Sequence, residues 1–235
     1  MRIRKIFSIF MIICLIATFS GCEGKSPEKV QENPKTENIH TFVDVMIGDT
    51  NLGEWHENNV ITSVTWQKLR LSDEHSKAYP SLSAAFDKYN EESLTDAKAL
   101  MYELTPLAAE MEGGEYNPVY CGAAAEVYLQ RADNYIVSLL ESVEKHSGGV
   151  HPDYFVNGIN YKSDTGEKLQ LSDVLTDTKE LPSVLEKKIT EKYSDVAFYE
   201  LKDTFSKYKE EEFTWTIDYQ GITFGSVHTK LQHLP

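Results

Sequence analysis

Three apolar stretches in the middle of the chain, separated by short polar turns, constrain the fold more than any other feature. Residues 119–131, 135–145 (YIVSLLESVEK) and 150–161 (VHPDYFVNGINY) are rich in β-branched and aromatic side chains. Ala132-Asp133-Asn134 separates the first two, and Ser147-Gly148-Gly149 separates the second pair. Strand-length runs bounded by Asp, Asn, Ser and Gly predict a meander of antiparallel strands. Ser163-Asp164-Thr165-Gly166 then turns the chain into a short strand expected at 167–170, because Gly in such turns adopts positive φ without a Cβ clash.

Around this meander the pattern alternates. Residues 41–47 (TFVDVMI) and 60–71 (VITSVTWQKLRL) read as strands. From Pro80 the period lengthens: Leu82, Ala85, Phe86 and Tyr89 stand at i, i+3, i+4 and i+7, one apolar stripe of a helix. Ser93 with Asp96 predicts the cap of a second helix, carrying Ala97, Leu100, Met101, Leu104, Ala108 and Met111 on one face. Pro106 is expected to kink it, and Gly113-Gly114 to end it. Leu171-Ser172-Asp173 reads as a strand end and helix cap. Helices are expected at 179–193 and 195–210, the latter with Phe198, Leu201, Phe205 and Tyr208 on one face. The charged run 207–212 reads as its solvated end. A hairpin is expected from 213–219 and 222–224 around Gln220-Gly221. The order is α+β. It predicts a small strand-helix domain at 40–118, followed at 119–224 by an antiparallel-sheet domain with helices on one face.

The N-terminus predicts an address. Arg2, Arg4 and Lys5 precede an uncharged apolar run from Ile6 to Phe19, which is the length of a secretory signal and too short to span a membrane. It ends in Phe19-Ser20-Gly21-Cys22, which resembles a lipobox with Phe in the slot where an aliphatic residue is usual. The expectation is a lipoprotein signal at 1–21, removal before Cys22, and acylation of Cys22. The product would be extracytoplasmic and held to a bacterial membrane by lipid, since two or more acyl chains anchor stably. Residues 22–39, polar with two prolines, read as a disordered tether.

The whole chain holds 23 Lys+Arg and 37 Asp+Glu. Removing the three basic residues of the signal leaves 20 against 37, a balance of −17. Such a chain repels phosphate, so no nucleic-acid partner is expected. Its field would favour a basic partner, or simply keep it soluble. With Cys14 removed and Cys22 acylated, Cys121 stands alone as a buried, inert thiol.

No arrangement of residues predicts catalysis. His75, His146, His151, His228 and His233 lack metal-ligand spacing, and there is no HExxH, GxSxG or phosphate-binding loop. His151 and Asp153, two apart on an expected strand, would share a face, but a zinc site would need a third ligand. The expectation is a chain that is not an enzyme, with no cofactor and no metal. Gly148, Gly149, His151 and Tyr154 form the candidate ligand-binding loop, because Gly-Gly freedom adjoins an exposed imidazole and a phenol. The alternative for His151 is a side chain that merely stabilises the turn. Alternatives for the chain are a structural envelope lipoprotein and a cell-wall-modifying enzyme.

Several of these motifs together resemble a known family. Arg131-Ala132-Asp133, Ser138-Leu139, Gly148-Gly149-x-His151-Pro152, Asn160-Tyr161, Thr165-Gly166-Glu167-Lys168 and Leu171-Ser172-Asp173-Val174-Leu175 resemble the RsiV-like extracellular domain. That domain occurs in lysozyme-sensing anti-sigma factors and ahead of the catalytic domain in PdaC-type peptidoglycan deacetylases. Trp215 and Gly221-Ile222-Thr223-Phe224 match its later hairpin, and 60–112 is similar to the smaller domain that precedes it. The resemblance spans roughly 40–224. It implies a non-catalytic module whose partner is a basic protein such as lysozyme, or peptidoglycan.

The resemblance also implies a further strand after Phe224, reading like Phe-x-Pro-Tyr-Glu-x-Ala. A synonymous back-translation with one thymine restored at Phe224 reads Trp-Phe-Ser-Pro-Tyr-Glu-Ile-Ala in the shifted frame. Residues 225–235 are therefore expected to be a frameshifted tail, the alternative being a short variant with a disordered end.

Overall fold

A computed structural model describes residues 41–56, 59–111, 120–193 and 201–225; for 54–56 and 59–61 it describes backbone alone. The expected signal peptide, Cys22, the tether, the Gly113-Gly114 stop, Phe198 and the tail beyond Gly225 lie outside these residues.

The architecture is α+β. Strands β1 (Val45–His56), β2 (Asn59–Leu71), β3 (Cys121–Ala132), β4 (Ile136–Ser147) and β5 (Asp153–Lys162) form one sheet in chain order. All neighbours are antiparallel except β2 and β3, which run parallel over Thr62–Thr65 and Cys121–Ala124. That single parallel pair joins the N-terminal ribbon to the meander. It requires a long crossover, and the chain supplies a helix there.

The crossover contains α1 (Asp73–Ala78) and α2 (Pro80–Met111). Sequence periodicity alone misses α1, whose cap Ser72 accepts from the His75 N–H. It also divides α2 wrongly. Ser93 caps nothing, and the helix is continuous for 32 residues, with Pro106 inside it. Ser93 instead shares a hydrogen bond with the Tyr89 side chain. An interior proline costs about 3 kcal/mol. Leu104 and Ala108 on either side of it are buried, and the burial of this face offsets that cost.

Two apolar clusters hold α2 to the sheet. Leu82, Phe86 and Tyr89 pack with Leu69, Leu71, Val127, Val137, Leu139 and Tyr161. Further along, Ala97, Leu104 and Ala108 pack with Val64, Trp66, Cys121 and Ala123. Cys121 is buried, as expected, and burial pushes its thiol pKa up. Between Trp66 and Leu69 the buried positions of β2 change parity, so the ribbon turns over as it leaves β3. At that point the Asn90 side chain accepts from the Leu69 N–H and donates to its carbonyl, both at 2.8 Å. One side-chain amide thus replaces the strand that has diverged.

The opposite face of β4 and β5 carries a second layer. Strands β6 (Thr214–Ile217) and β7 (Ile222–Gly225) form the expected hairpin. It packs against helices α3 (Leu171–Val174), α4 (Leu181–Lys192) and α5 (Leu201–Phe205) through Leu171, Leu181, Leu185, Ile189, Leu201 and Trp215. Two expectations shrink here. The strand at 167–170 reduces to one bridge, Lys168 to Tyr161. The helix at 195–210 stops at Phe205, and the charged run becomes a turn and a 3-10 turn at Glu210–Glu212, where Glu210 accepts from the Ser172 N–H at 2.6 Å.

Candidate binding surface

The hairpin layer covers one end of its sheet face and leaves the other open. At the covered end the polypeptide backbones nearly touch. A Cβ on Gly158 would lie 1.8 Å from the Trp215 carbonyl oxygen, so only glycine fits. Ser138 donates to Asn160 Oδ1 at 2.6 Å, Asn160 Nδ2 donates to the Trp215 carbonyl at 2.9 Å, and the Ile217 N–H donates to Ser138 Oγ at 3.0 Å. The Ser-Leu and Asn-Tyr motifs are therefore the polar rivets of the hairpin. Asp133, in the β3–β4 turn, is fully buried, accepts from the Tyr135 and Ile136 N–H groups, and pairs with Arg131 at 2.8 Å. Burial opposes its ionisation, but those donors prevail and hold its carboxyl below the usual range.

Six residues further along β4 no second layer of the described residues covers the same face. Glu144 and His146 stand two apart on it, with Glu144 Oε1 2.8 Å from His146 Nε2. Tyr154 is opposite Glu144 in the β4–β5 register. Partial desolvation, then the charge and hydrogen bond of Glu144, push the Tyr154 hydroxyl pKa up. The ring of Tyr120 meets His146 edge-on at 6.0 Å and is half exposed. Gly122 leaves the room for it: a Cβ there would lie 2.2 Å from the Tyr120 hydroxyl. Beside them on β3 stand Ala124 and Glu126, whose carboxylate bonds the Tyr128 hydroxyl. The two carboxylates of this strip bond tyrosines and a histidine rather than Lys or Arg. Lys145, between them in sequence, points to the other face and pairs with Glu103 of α2 at 2.7 Å.

The candidate loop thus separates into two parts. Gly148 has φ 82, the left-handed conformation that glycine tolerates, and Gly149 has nothing closer than 3.8 Å to a virtual Cβ. His151 is exposed in the turn, alongside Val150 at 92% exposure. It is not on a strand, because β5 begins at Asp153, so the expected shared face of His151 and Asp153 does not form. Tyr154 alone joins the strip. Sequence reading misses Tyr120, Glu144 and His146. The alternation of Glu144 and His146 on a strand opposite Tyr154 was the available signal, but it needed the register. Among the described residues no three His, Cys, Asp or Glu side chains converge as a metal site. Chemically, the strip offers hydrogen-bond acceptors and aromatic rings on a rigid sheet.

No protein-family model and no curated protein matches the sequence. Among solved structures, the chain is similar to a member of the DUF3298 family from Bacteroides fragilis, with TM-score 0.49 and 15% identity, covering 83% of this chain and 94% of that one. It is also similar to a DUF3298 family protein from Pseudomonas aeruginosa, with TM-score 0.37 and 14% identity over 70% of this chain and 69% of that one.

Proposed function

We propose that the chain is a lipid-anchored extracytoplasmic lipoprotein of the RsiV- and PdaC-like kind, and that it acts as a non-catalytic binding module for a basic protein such as lysozyme. The observation that carries the reading is the open strip of Tyr120, Glu144, His146 and Tyr154, where acceptors and aromatic rings face solvent on a rigid sheet. Tyrosine anchors, and carboxylates bonded to tyrosine and histidine rather than to Lys or Arg, suit a cationic surface. The overall negative charge adds steering toward the same class of partner.

The test is capture by the full-length protein in detergent, with lysozyme and insoluble peptidoglycan as separate baits. Lysozyme should be retained at low salt and released as salt rises, and Glu144→Gln with Tyr154→Ala should weaken retention at least tenfold. Retention of peptidoglycan alone, or equal capture by the double variant, would overturn the reading. Anchoring has its own test. An alkyne fatty acid fed to cells should label the native protein and not Cys22→Ser.

A further inference from the structure

The hairpin layer holds an open cavity of about 280 Å³ between α3, the first turn of α4 and the chain that runs from the end of α5 into β6. An engineered cavity of roughly 150 Å³ takes benzene, so this one has room for about eleven non-hydrogen atoms. Phe205, Tyr208 and Phe213 wall it. Their ring centroids form a triangle with sides of 5.9, 5.4 and 6.4 Å, and their planes differ by 40° to 85°, so they do not stack into one flat surface. All three rings are only half-buried, so a ligand in the cavity reaches them. A cation seated over such a triangle lies within about 6 Å of every centroid, the reach of a cation–π contact.

The polar lining carries both signs of charge. Glu210 is fixed by the Ser172 N–H, which donates to its Oε1 at 2.6 Å, and its other carboxylate oxygen has no partner among the described residues. Lys179, exposed at the rim beside Thr178, forms no ion pair among the described residues. The two opposite charges thus line one cavity without meeting each other. A direct pair would close the space between them. Kept apart, they leave a dipolar cavity with an aromatic wall.

These groups discriminate among ligands. A simple cation suits the rings and Glu210 but is repelled by Lys179, and a simple anion meets the reverse. A zwitterion serves both. A primary ammonium brings three N–H donors, which the aromatic wall cannot satisfy. A quaternary ammonium has none, and its charge lies on methyl groups that pack against ring faces. We propose that this cavity binds a small zwitterion that joins a quaternary ammonium to an anionic group, with phosphocholine, of about eleven non-hydrogen atoms, as the size that fits. The trimethylammonium sits against Phe205, Tyr208, Phe213 and Glu210, and the phosphate faces Lys179 and Thr178. The site shares no residue with the open strip and does not depend on what the strip binds.

The test is calorimetric titration of the full-length protein in a maltoside detergent, which carries no charge. Phosphocholine and the soluble lipid dibutyroylphosphatidylcholine are each taken to about 10 mM, which covers the ~1 mM affinities expected of so small a ligand. The tighter of the two identifies whether the group is recognised free or on a lipid. The isostere 3,3-dimethylbutyl phosphate, which replaces the ammonium nitrogen by carbon, should bind at least tenfold more weakly than phosphocholine. Tyr208 lies outside the buried apolar cluster of this layer, so Tyr208→Leu should keep the fold, checked by circular dichroism, and weaken binding at least threefold, while Tyr208→Phe retains it. Lys179→Gln should weaken phosphocholine at least threefold and leave choline unchanged. The proposal is overturned if neither choline compound binds by 10 mM, if the carbon isostere binds as tightly as phosphocholine, or if Tyr208→Leu leaves the affinity unchanged.

Discussion

Strands β4 and β5 present the same face to two different environments, and the residues at the two ends have opposite jobs. At the covered end, Ser138, Gly158 and Asn160 sit beneath Trp215 with neutral, reciprocal hydrogen bonds and no room for a side chain. At the open end, Glu144, His146 and Tyr154 carry polar and aromatic surface that is half-buried and that no layer of the described residues covers. The lesson is that polar residues on one sheet face divide by whether their partners lie inside the chain. Buried polar groups must be satisfied internally, whereas exposed ones keep capacity for a ligand.

The sharpest way to break this comparison is Gly158→Val. A side chain there collides with Trp215 backbone, so the hairpin must lift, at a cost of at least about 3 kcal/mol. Urea unfolding measures it, and a loss below about 1 kcal/mol would mean that the hairpin is not seated as described. Asn160→Ala leaves the Trp215 carbonyl and Ser138 hydroxyl short of partners in a dry site. The expected loss is about 2 kcal/mol by the same measurement.

Titration sharpens the comparison further, because groups at the covered end have shifted pKa values that the fold must sustain. Tyr161, on the α2 face at that end, has its pKa raised from 10.0 to about 12 by burial and then by Glu92 and Glu141. Its contribution is fully present below pH 10 and is lost as pH climbs toward 12, about 3 kcal/mol in all. Stability should fall over that window, and Tyr161→Phe should flatten the fall. Asp133 works in the reverse sense. Its pKa is depressed, so its contribution is complete above about pH 4, the unfolded value, and is lost as pH falls through the lower folded value. Asp133→Asn should remove part of the acid-induced loss.

The smallest effect is expected at the open end. Tyr154→Ala and His146→Ala should each change stability by no more than about 0.5 kcal/mol, since neither side chain supports a packed layer. A loss as large as that of Asn160→Ala would erase the distinction between the two ends.

The meander and the hairpin were legible because turn residues mark their boundaries. Asp133-Asn134, Gly148-Gly149 and Gln220-Gly221 each fall where a reversal occurs. The length of α2 was not legible, because Pro106 signals a break and only tertiary burial of Leu104 and Ala108 overrides it. The β2–β3 pairing was also hidden. It joins residues about sixty apart through four parallel positions, and no local pattern records such a contact. The open strip was half legible: Tyr154 stood out by residue type beside the Gly-Gly turn, although it is half-buried rather than exposed, while Tyr120, Glu144 and His146 become neighbours only through register.

The first described residues enter at the centre of the sheet rather than its rim. Thr41 exchanges hydrogen bonds with Asn134, the Val43 N–H bonds the Ala132 carbonyl, and Phe42 bridges Asp133. The chain continues from there into β1, an edge strand whose bonds to β2 could otherwise be peeled one pair at a time. A pull applied ahead of Thr41 therefore loads the β3–β4 corner, stiffened by Arg131 and Asp133, before it reaches β1. In mechanical terms the clasp at 41–43 is a strain relief: it diverts tension from the edge strand β1 into the middle strands of the sheet.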